Sequence, residues 1–155
     1  SYASSLYSGA QAHAKGFSNV LYLDAVERRF LEECGAANFF GIRNNTYITP
    51  KSTSILPSIT NKSLRQIALD LGMTVEERPV PIEELETFEE CGACGTAAVI
   101  SPIGEIFDMQ TEKTYRYGTM DKVGQTSQKL YTGLQDIQYG RIEDKHNWTT
   151  VIENI

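Results

Sequence analysis

The sequence predicts a mixed α+β domain in which antiparallel or mixed sheets form a distorted, barrel-like unit with flanking helices. Short β-favouring segments and amphipathic segments alternate irregularly, without the strand–helix–strand rhythm of a doubly wound parallel sheet. Two strand candidates are separated only by Asn44-Asn45, which is a strong hairpin signal. The length of 155 residues fits one domain.

The first part of the chain combines one helix with several strands. Residues 1–16 are rich in Ala, Ser and Gly and place Tyr2, Leu6 and Ala10 on one helical face, so we predict a closely packed helix that ends at Gly16. Four apolar, β-favouring segments follow. They are Val20–Leu23, Phe30–Cys34, Asn38–Arg43 and Thr46–Thr49.

The second part opens with the strongest helix signal in the sequence. Apolar residues follow the i, i+3, i+4, i+7 spacing from Leu64 to Leu71, and Gly72 is the predicted end. Beyond it we predict three more strands, a short acidic helical turn and a final helix. The strands are Thr74–Val80, Ala97–Ile100 and Glu105–Met109, the turn is Pro81–Glu86, and the helix runs from Val123 to Gly140.

Composition excludes several classes of protein. Hydrophobic residues make up 41% and charged residues 22%, and the formal charge is -6, so the basic face of a nucleic-acid binder is not expected. The apolar runs are far shorter than the ~20 residues that a membrane span requires. Three cysteines, an odd number, fit a reducing compartment, and we expect a cytoplasmic location.

Two segments have features of an anion site. Leu56–Thr60 leads into the strong helix, whose first amides are unpaired and partly positive, although plain capping by Ser or Thr is commoner. Cys94–Ala98 offers Gly95 for close backbone approach and Thr96 for its hydroxyl, although an ordinary turn before a buried strand is the commoner explanation of such a segment. No phosphate-loop motif of the G-x-x-x-x-G-K-[ST] type occurs.

The cysteines and histidines do not form a metal motif. Cys91 and Cys94 have C-x-x-C spacing, but one such pair with Cys34, His13 and His146 does not complete a zinc site. Buried structural thiols are favoured over a redox pair. We predict no metal and find no arrangement typical of a nucleophilic triad.

Adjacent carboxylates occur at Glu32 and Glu33 on a predicted strand. Neighbouring strand residues face opposite sides, so only one of the two can point inward, and an inward carboxylate needs a partner. Arg28, Arg29 or a ligand cation could serve, and spacing alone favours a structural ion pair.

Five motifs occur in a fixed order over almost the whole chain, namely Ser1–Leu6, Glu33–Phe40, Ile55–Thr60, Gly95–Ala98 and Asp136–Gly140. In this order they resemble the branched-chain amino-acid aminotransferases, which are pyridoxal-phosphate enzymes of fold type IV. The resemblance implies that residues 1–155 are the C-terminal large cofactor-binding domain. Ser1-Tyr2 resembles the end of the K-x-G-G-[NS]-Y segment that carries the cofactor-binding lysine. We therefore expect this lysine and the small N-terminal domain to lie outside the chain, and expect residues 1–155 alone to be inactive, with no catalytic residue.

The resemblance also implies roles around the cofactor ring. Tyr2 matches the tyrosine that hydrogen-bonds the phenolic oxygen, and Leu56 matches the residue packed against the ring. Glu33 matches the carboxylate that faces the pyridine nitrogen. A carboxylate there keeps the nitrogen protonated, so that the ring accepts electrons.

Further roles concern the phosphate and the substrate. Ile59 and Thr60 match the helix-start groups on the phosphate, Thr96 matches a second phosphate hydroxyl, and Gly95 gives it room. Ala97, with Thr96, matches the amides that receive the substrate carboxylate.

Three positions depart from the family pattern. Ser58 lies where Gly is frequent, Asn61 where Arg is frequent and Cys94 where Ser is common. The Ser58 change leaves open a shift of the local loop.

The resemblance implies an enzyme that exchanges the amino group of leucine, isoleucine or valine with 2-oxoglutarate. Its substrates are small amino acids and 2-oxo acids, and the intact enzyme is expected to be a homodimer. Alternatives are a D-amino-acid aminotransferase or an aminodeoxychorismate lyase of the same fold, or a non-catalytic anion-binding module. The stretch Leu134–Trp148 extends beyond those shorter enzymes and favours the branched-chain group.

Overall fold

A computed structural model describes residues 20–35, 37–52, 55, 58–95, 100–117 and 124–138. The described part is built on a seven-stranded mixed sheet, with a separate two-stranded sheet and three helical segments. The strands of the large sheet are β1 (Leu21–Leu23), β2 (Leu31–Cys34), β3 (Ala37–Arg43), β4 (Thr46–Pro50), β5 (Thr74–Arg78), β6 (Glu90–Cys94) and β7 (Ile100–Ile103). The small sheet contains β8 (Glu105–Phe107) and β9 (Thr114–Arg116), and the helices are α1 (Ile59–Asp70), a 3₁₀ helix (Ile82–Thr87) and α2 (Gln125–Gln138).

Strand β3 is the branch point of the large sheet. Asn38 pairs with both β2 and β6, and Gly41 and Ile42 pair with both β4 and β6. Because a strand has two edges, β6 occupies one edge of β3, and β2 and then β4 share the other. The pairing of β4 with β3 ends at Ile48, whereas β4 continues beside β5 as far as Pro50. Along this edge, β2 pairs with β3 at Ala37 and Asn38, and β4 pairs with it from Gly41 to Arg43. Asn38, at the β2 end of this edge, lies at the site described below.

Helix α1 connects β4 to β5, the one pair in the described sheet that runs parallel. A parallel pair needs such a crossover, because a tight turn joins only antiparallel strands. Ser58 caps the helix by accepting a hydrogen bond from the Asn61 amide at 3.1 Å. Gly72, with φ of +82°, follows the last turn in the left-handed conformation that glycine adopts without strain.

Both faces of the large sheet are buried, because β3 alternates its side chains between two cores. Phe40 and Ile42 belong to the core under α1 and α2, which we call the helix face. Phe39 belongs to the opposite core, which the 3₁₀ helix and β8–β9 cover together with Leu85 and Tyr117.

The predicted mixed α+β class is confirmed, with antiparallel pairing dominant in the described sheet. The hairpin at Asn44-Asn45 is present, and both residues have the positive φ (49° and 56°) that favours Asn or Gly. Among the described residues, no helix is long and apolar enough to cross a bilayer.

Other sequence predictions need correction or lie outside the description. Strands β6 and β9 were not predicted. The strand predicted at 97–100 is described only at Ile100, the first residue of β7, and residues 97–99 lie outside the described residues. The sequence of β6 shows no alternation of polar and apolar residues, because Gly92 and the alanine and cysteines around it are all small and buried. The helix predicted over residues 1–16 and the end of the last helix at Gly140 lie outside the described residues.

Candidate active site

A cavity of about 380 Å³ lies between β3, the end of β4 and the start of α1. Asn38 on β3 lines its floor, and the start of α1 lines its wall through Ser58 and Ile59. This volume lies within the range of small-molecule sites, which run from roughly 300 to 1,000 Å³. A ligand-sized space therefore lies beside a helix N-terminus.

The first turn of α1 supplies hydrogen-bond donors at this cavity. The amides of Ile59 and Thr60 have no partner inside the helix, since an α-helix leaves its first N–H groups unbonded. Ser58 already caps the Asn61 amide, so the cap does not use these two donors. The Ile59 side chain is 85% exposed, and Thr60 is half-buried. Together with the helix dipole, these amides form a surface suited to an anion.

Side-chain charge reinforces this preference. Among the described lining residues, the cations Lys51, Lys62 and Arg65 outnumber the single carboxylate, Glu77. Arg65 donates from Nη1 to Glu77 Oε2 at 2.5 Å, and Lys51 Nζ lies 3.7 Å from Oε1 of the same residue. One carboxylate cannot neutralise three cations, so the cavity keeps a net positive charge that a dianion would balance.

Glu33 lies on β2 directly opposite Asn38 on β3. Cross-strand partners share a face, so the register places Glu33 on the side of the sheet that Asn38 shares with the cavity. The neighbouring Glu32 accepts a hydrogen bond from the Ser52 hydroxyl at 3.0 Å, and Arg29 lies 3.7 Å from Glu83. Glu32 is therefore bonded to a residue that lines the cavity.

Gly95 reaches the same region from the other edge of β3. Its predecessor Cys94 is the β6 partner of Asn38, and a Cβ built on Gly95 would lie 3.5 Å from the Ala37 Cβ. Asn38, which the sequence reasoning did not select, therefore lines the cavity and pairs both with Glu33 and with the residue before Gly95. Of the predicted groups, Tyr2, Leu56, Thr96 and Ala97 lie outside the described residues.

Sequence reasoning also missed a buried polar network beneath the start of α1. The Tyr47 hydroxyl donates to Asn61 Oδ1 at 2.7 Å, and Asn61 Nδ2 donates to Thr49 Oγ1 at 3.1 Å. Thr49 in turn donates to the Phe39 carbonyl at 2.9 Å, and the Cys94 sulfur lies 4.0 Å from the Tyr47 hydroxyl. A signal was available, since Asn61 and Cys94 are two of the three departures from the family pattern.

All three cysteines are buried in strands, with Cys34 and Cys91 in one core and Cys94 in the other. Cys91 and Cys94 belong to opposite cores, because residues three apart on a strand face opposite sides, and they are not placed to pair as a C-x-x-C redox motif. Burial raises the pKa of Cys34 to about 11 and that of Cys94 to about 12, and it also raises the pKa of Cys91. Within the described ranges, no group of three potential ligands could hold a metal ion.

Comparison with known proteins identifies the family. Residues 1–106 match the amino-transferase class IV family. The chain belongs to this family. This class IV chain is 47% identical over 139 residues to the branched-chain-amino-acid aminotransferase of Haemophilus influenzae, covering 88% of the chain and 40% of that protein. It is 44% identical to the Helicobacter pylori enzyme of the same name, covering 95% of the chain and 42% of that protein.

Solved structures agree with the sequence relatives. The class IV chain superposes on the branched-chain amino acid aminotransferase of Escherichia coli with a TM-score of 0.77 and 28% identity, covering 95% of this chain and 47% of the other. A further solved branched-chain amino acid aminotransferase, complexed with N-(5'-phosphopyridoxyl)-L-glutamate, superposes with a TM-score of 0.76 and 26% identity, covering 91% and 44%. The expected fold type IV architecture is therefore confirmed. The chain spans about two fifths of the length of the curated relatives it matches.

Proposed function

We propose that residues 1–155 form the large cofactor-binding domain of a branched-chain amino-acid aminotransferase. The full-length protein would exchange the amino group of leucine, isoleucine or valine with 2-oxoglutarate, using pyridoxal 5'-phosphate. One observation carries this proposal: Asn38, which lines the cationic cavity beside the start of α1, is the cross-strand partner of Glu33 on β2 and of Cys94, the residue before Gly95, on β6. The names of the relatives support the same activity.

The donor set fits this cofactor. A phosphate dianion needs amide donors, hydroxyls and a positive field, and the cavity lining offers the start of α1, the Ser58 hydroxyl and the cations Lys62 and Arg65. Thr60, in the same first turn of the helix, carries a further hydroxyl. When bound, pyridoxal phosphate supplies a protonated ring that accepts electrons from the substrate carbon. In the proposal, the amides of Ile59 and Thr60 hold the phosphate, together with Thr96, for which Gly95 leaves room.

Glu33 would act on the ring nitrogen. A carboxylate next to that nitrogen favours its protonated form, because opposite charges within a few ångströms stabilise each other. Tyr2 would hydrogen-bond the phenolic oxygen, and Leu56 would pack against the ring. The amides of Thr96 and Ala97 would receive the substrate carboxylate. No residue of this chain is assigned the proton transfer at the substrate carbon, which the resemblance gives to a lysine outside residues 1–155.

The test uses the protein encoded by the full open reading frame. After reconstitution with pyridoxal phosphate, it should show a visible absorption band that borohydride removes. It should also form glutamate from 2-oxoglutarate with leucine, isoleucine or valine. A protein that stays colourless, or that uses only D-alanine or aminodeoxychorismate, would contradict the proposal.

Assembly and location are part of the same proposal. The full-length enzyme would be a cytoplasmic homodimer acting on small amino acids and 2-oxo acids. Three buried, unpaired thiols in the described strands support a reducing compartment. Sedimentation of the full-length protein tests the dimer, because a monomer at micromolar concentration would contradict it.

A further inference from the structure

The buried network under α1 includes the residue next to each of two segments, Ile59–Thr60 and Gly95, that would lie at the cofactor phosphate. We infer that the Tyr47 hydroxyl is a positioning group, which sets the separation of Ile59–Thr60 from Gly95. This inference rests on the proposed function. It concerns Tyr47, Asn61 and Thr49, none of which is assigned contact with the cofactor.

The hydrogen bonds of this network have one consistent direction. The Phe39 carbonyl can only accept, so the Thr49 hydroxyl donates to it and must accept from the Asn61 amide. The Asn61 carbonyl oxygen then faces Tyr47, whose single hydroxyl proton is used there. The Cys94 thiol is left as the donor towards Tyr47, across 4.0 Å. Each member thus depends on the orientation of the next.

The two ends of this chain of bonds are attached to the two segments. Asn61 is the third residue of α1, and its amide is bound to the Ser58 cap, so a shift of Asn61 carries Ile59–Thr60 with it. Cys94 is the last residue of β6 and directly precedes Gly95. A single hydroxyl therefore contacts the residue beside each segment.

Burial makes the arrangement rigid. Tyr47 and Thr49 are fully buried, and Asn61 is 7% exposed. The Tyr47 ring stacks on Phe40 with centroids 5.0 Å apart and planes inclined by 16°. Buried polar groups that lose a partner are costly, so the network has little freedom to rearrange and can fix a distance across the site.

The experiment compares two ligands that differ only in the phosphate. Dissociation constants for pyridoxal 5'-phosphate and for pyridoxal are measured on the full-length protein and its variants. Tyr47→Phe keeps the ring and removes the hydroxyl. We expect it to weaken binding of the phosphate ester about tenfold, the equivalent of roughly one hydrogen bond, and to leave pyridoxal binding within about twofold.

Tyr117→Phe is the matched control. Tyr117 is also a buried tyrosine, and its hydroxyl donates to the Leu85 carbonyl at 2.6 Å, but it lies in the opposite core. Tyr117→Phe should therefore not weaken the binding of pyridoxal 5'-phosphate more than the binding of pyridoxal. An equal loss for both ligands in Tyr47→Phe would indicate a merely structural role and overturn the inference, as would no loss at all.

A second pair of variants decides the matter if Tyr47→Phe does not fold. Thr49→Val has nearly the same shape but cannot accept from Asn61, so it should show the same selective loss. Thr49→Ser keeps the hydroxyl and should retain phosphate affinity. Full phosphate affinity in Thr49→Val would overturn the inference. A wild-type protein that binds both ligands equally would instead contradict the proposed function.

Discussion

Glu33 and Asn38 lie directly opposite each other on β2 and β3, and Asn38 lines the cavity beside the start of α1. This register gives the first prediction, for which Glu32 provides the control. Glu33→Gln should lower kcat by about 10²-fold or more, because an amide cannot hold the ring nitrogen protonated. Glu32→Gln, which alters only the Ser52 contact, should keep kcat within about threefold. Steady-state kinetics of the full-length enzyme check this, and equal losses in the two variants would remove the assigned role of Glu33.

A second prediction concerns the contact of Gly92 with Phe40. A Cβ at Gly92 would lie 2.5 Å from the Phe40 ring, which itself stacks on Tyr47. Gly92→Ala should therefore destabilise the fold by about 1–3 kcal/mol through overpacking. At Gly95 a Cβ meets only an ordinary contact of 3.5 Å, so Gly95→Ala should cost less in denaturant unfolding. A Gly92 variant as stable as the wild type would show that Phe40 moves freely.

A third prediction concerns the start of α2. The Glu90 carboxylate on β6 accepts from the amides of Thr126 and Ser127 at 3.1 and 2.9 Å, and so caps a helix that is distant in sequence. Glu90→Ala should cost about 0.5–2 kcal/mol, the usual range for a lost cap. The exposed neighbour is the control, and Glu89→Ala should stay within about 0.5 kcal/mol of the wild type. Equal unfolding free energies for the two variants would argue against the cap.

A fourth prediction concerns acid stability. Arg78 donates to both oxygens of Glu84, at 2.6 and 2.8 Å, and these hydrogen bonds hold the pKa of Glu84 below its usual range. A lowered pKa in the folded state stabilises the fold above the unfolded pKa of about 4.3, and that stability is lost as the pH falls through the folded value. The decrease in the free energy of unfolding between pH 7 and acidic pH should therefore be smaller for Arg78→Met than for the wild type.

The control for this pair is Lys113→Met, because the Lys113–Glu86 pair is exposed to solvent. The unfolding free energy of Lys113→Met should change with pH as that of the wild type does. Parallel profiles for Arg78→Met and the wild type would show that Arg78 is not what lowers the Glu84 pKa in the folded state.

Sequence reasoning reached those parts of the fold that local signals determine. The Asn44-Asn45 turn and the apolar spacing from Leu64 predicted the hairpin and α1 without knowledge of the tertiary structure. Strand β6 was not predicted, because Gly92 and its small neighbours show no alternation of polar and apolar residues. The roles of Asn38 and Tyr47 were not predicted, because they depend on which strands lie beside β3, and no local sequence pattern encodes that order.

The most direct measurement is a crystal structure of the full-length protein with pyridoxal 5'-phosphate. The proposal predicts the phosphate within hydrogen-bond distance of the Ile59 and Thr60 amides, beside Gly95, with the ring nitrogen facing Glu33. A phosphate bound away from the start of α1, or a ring nitrogen that faces another residue, would contradict it.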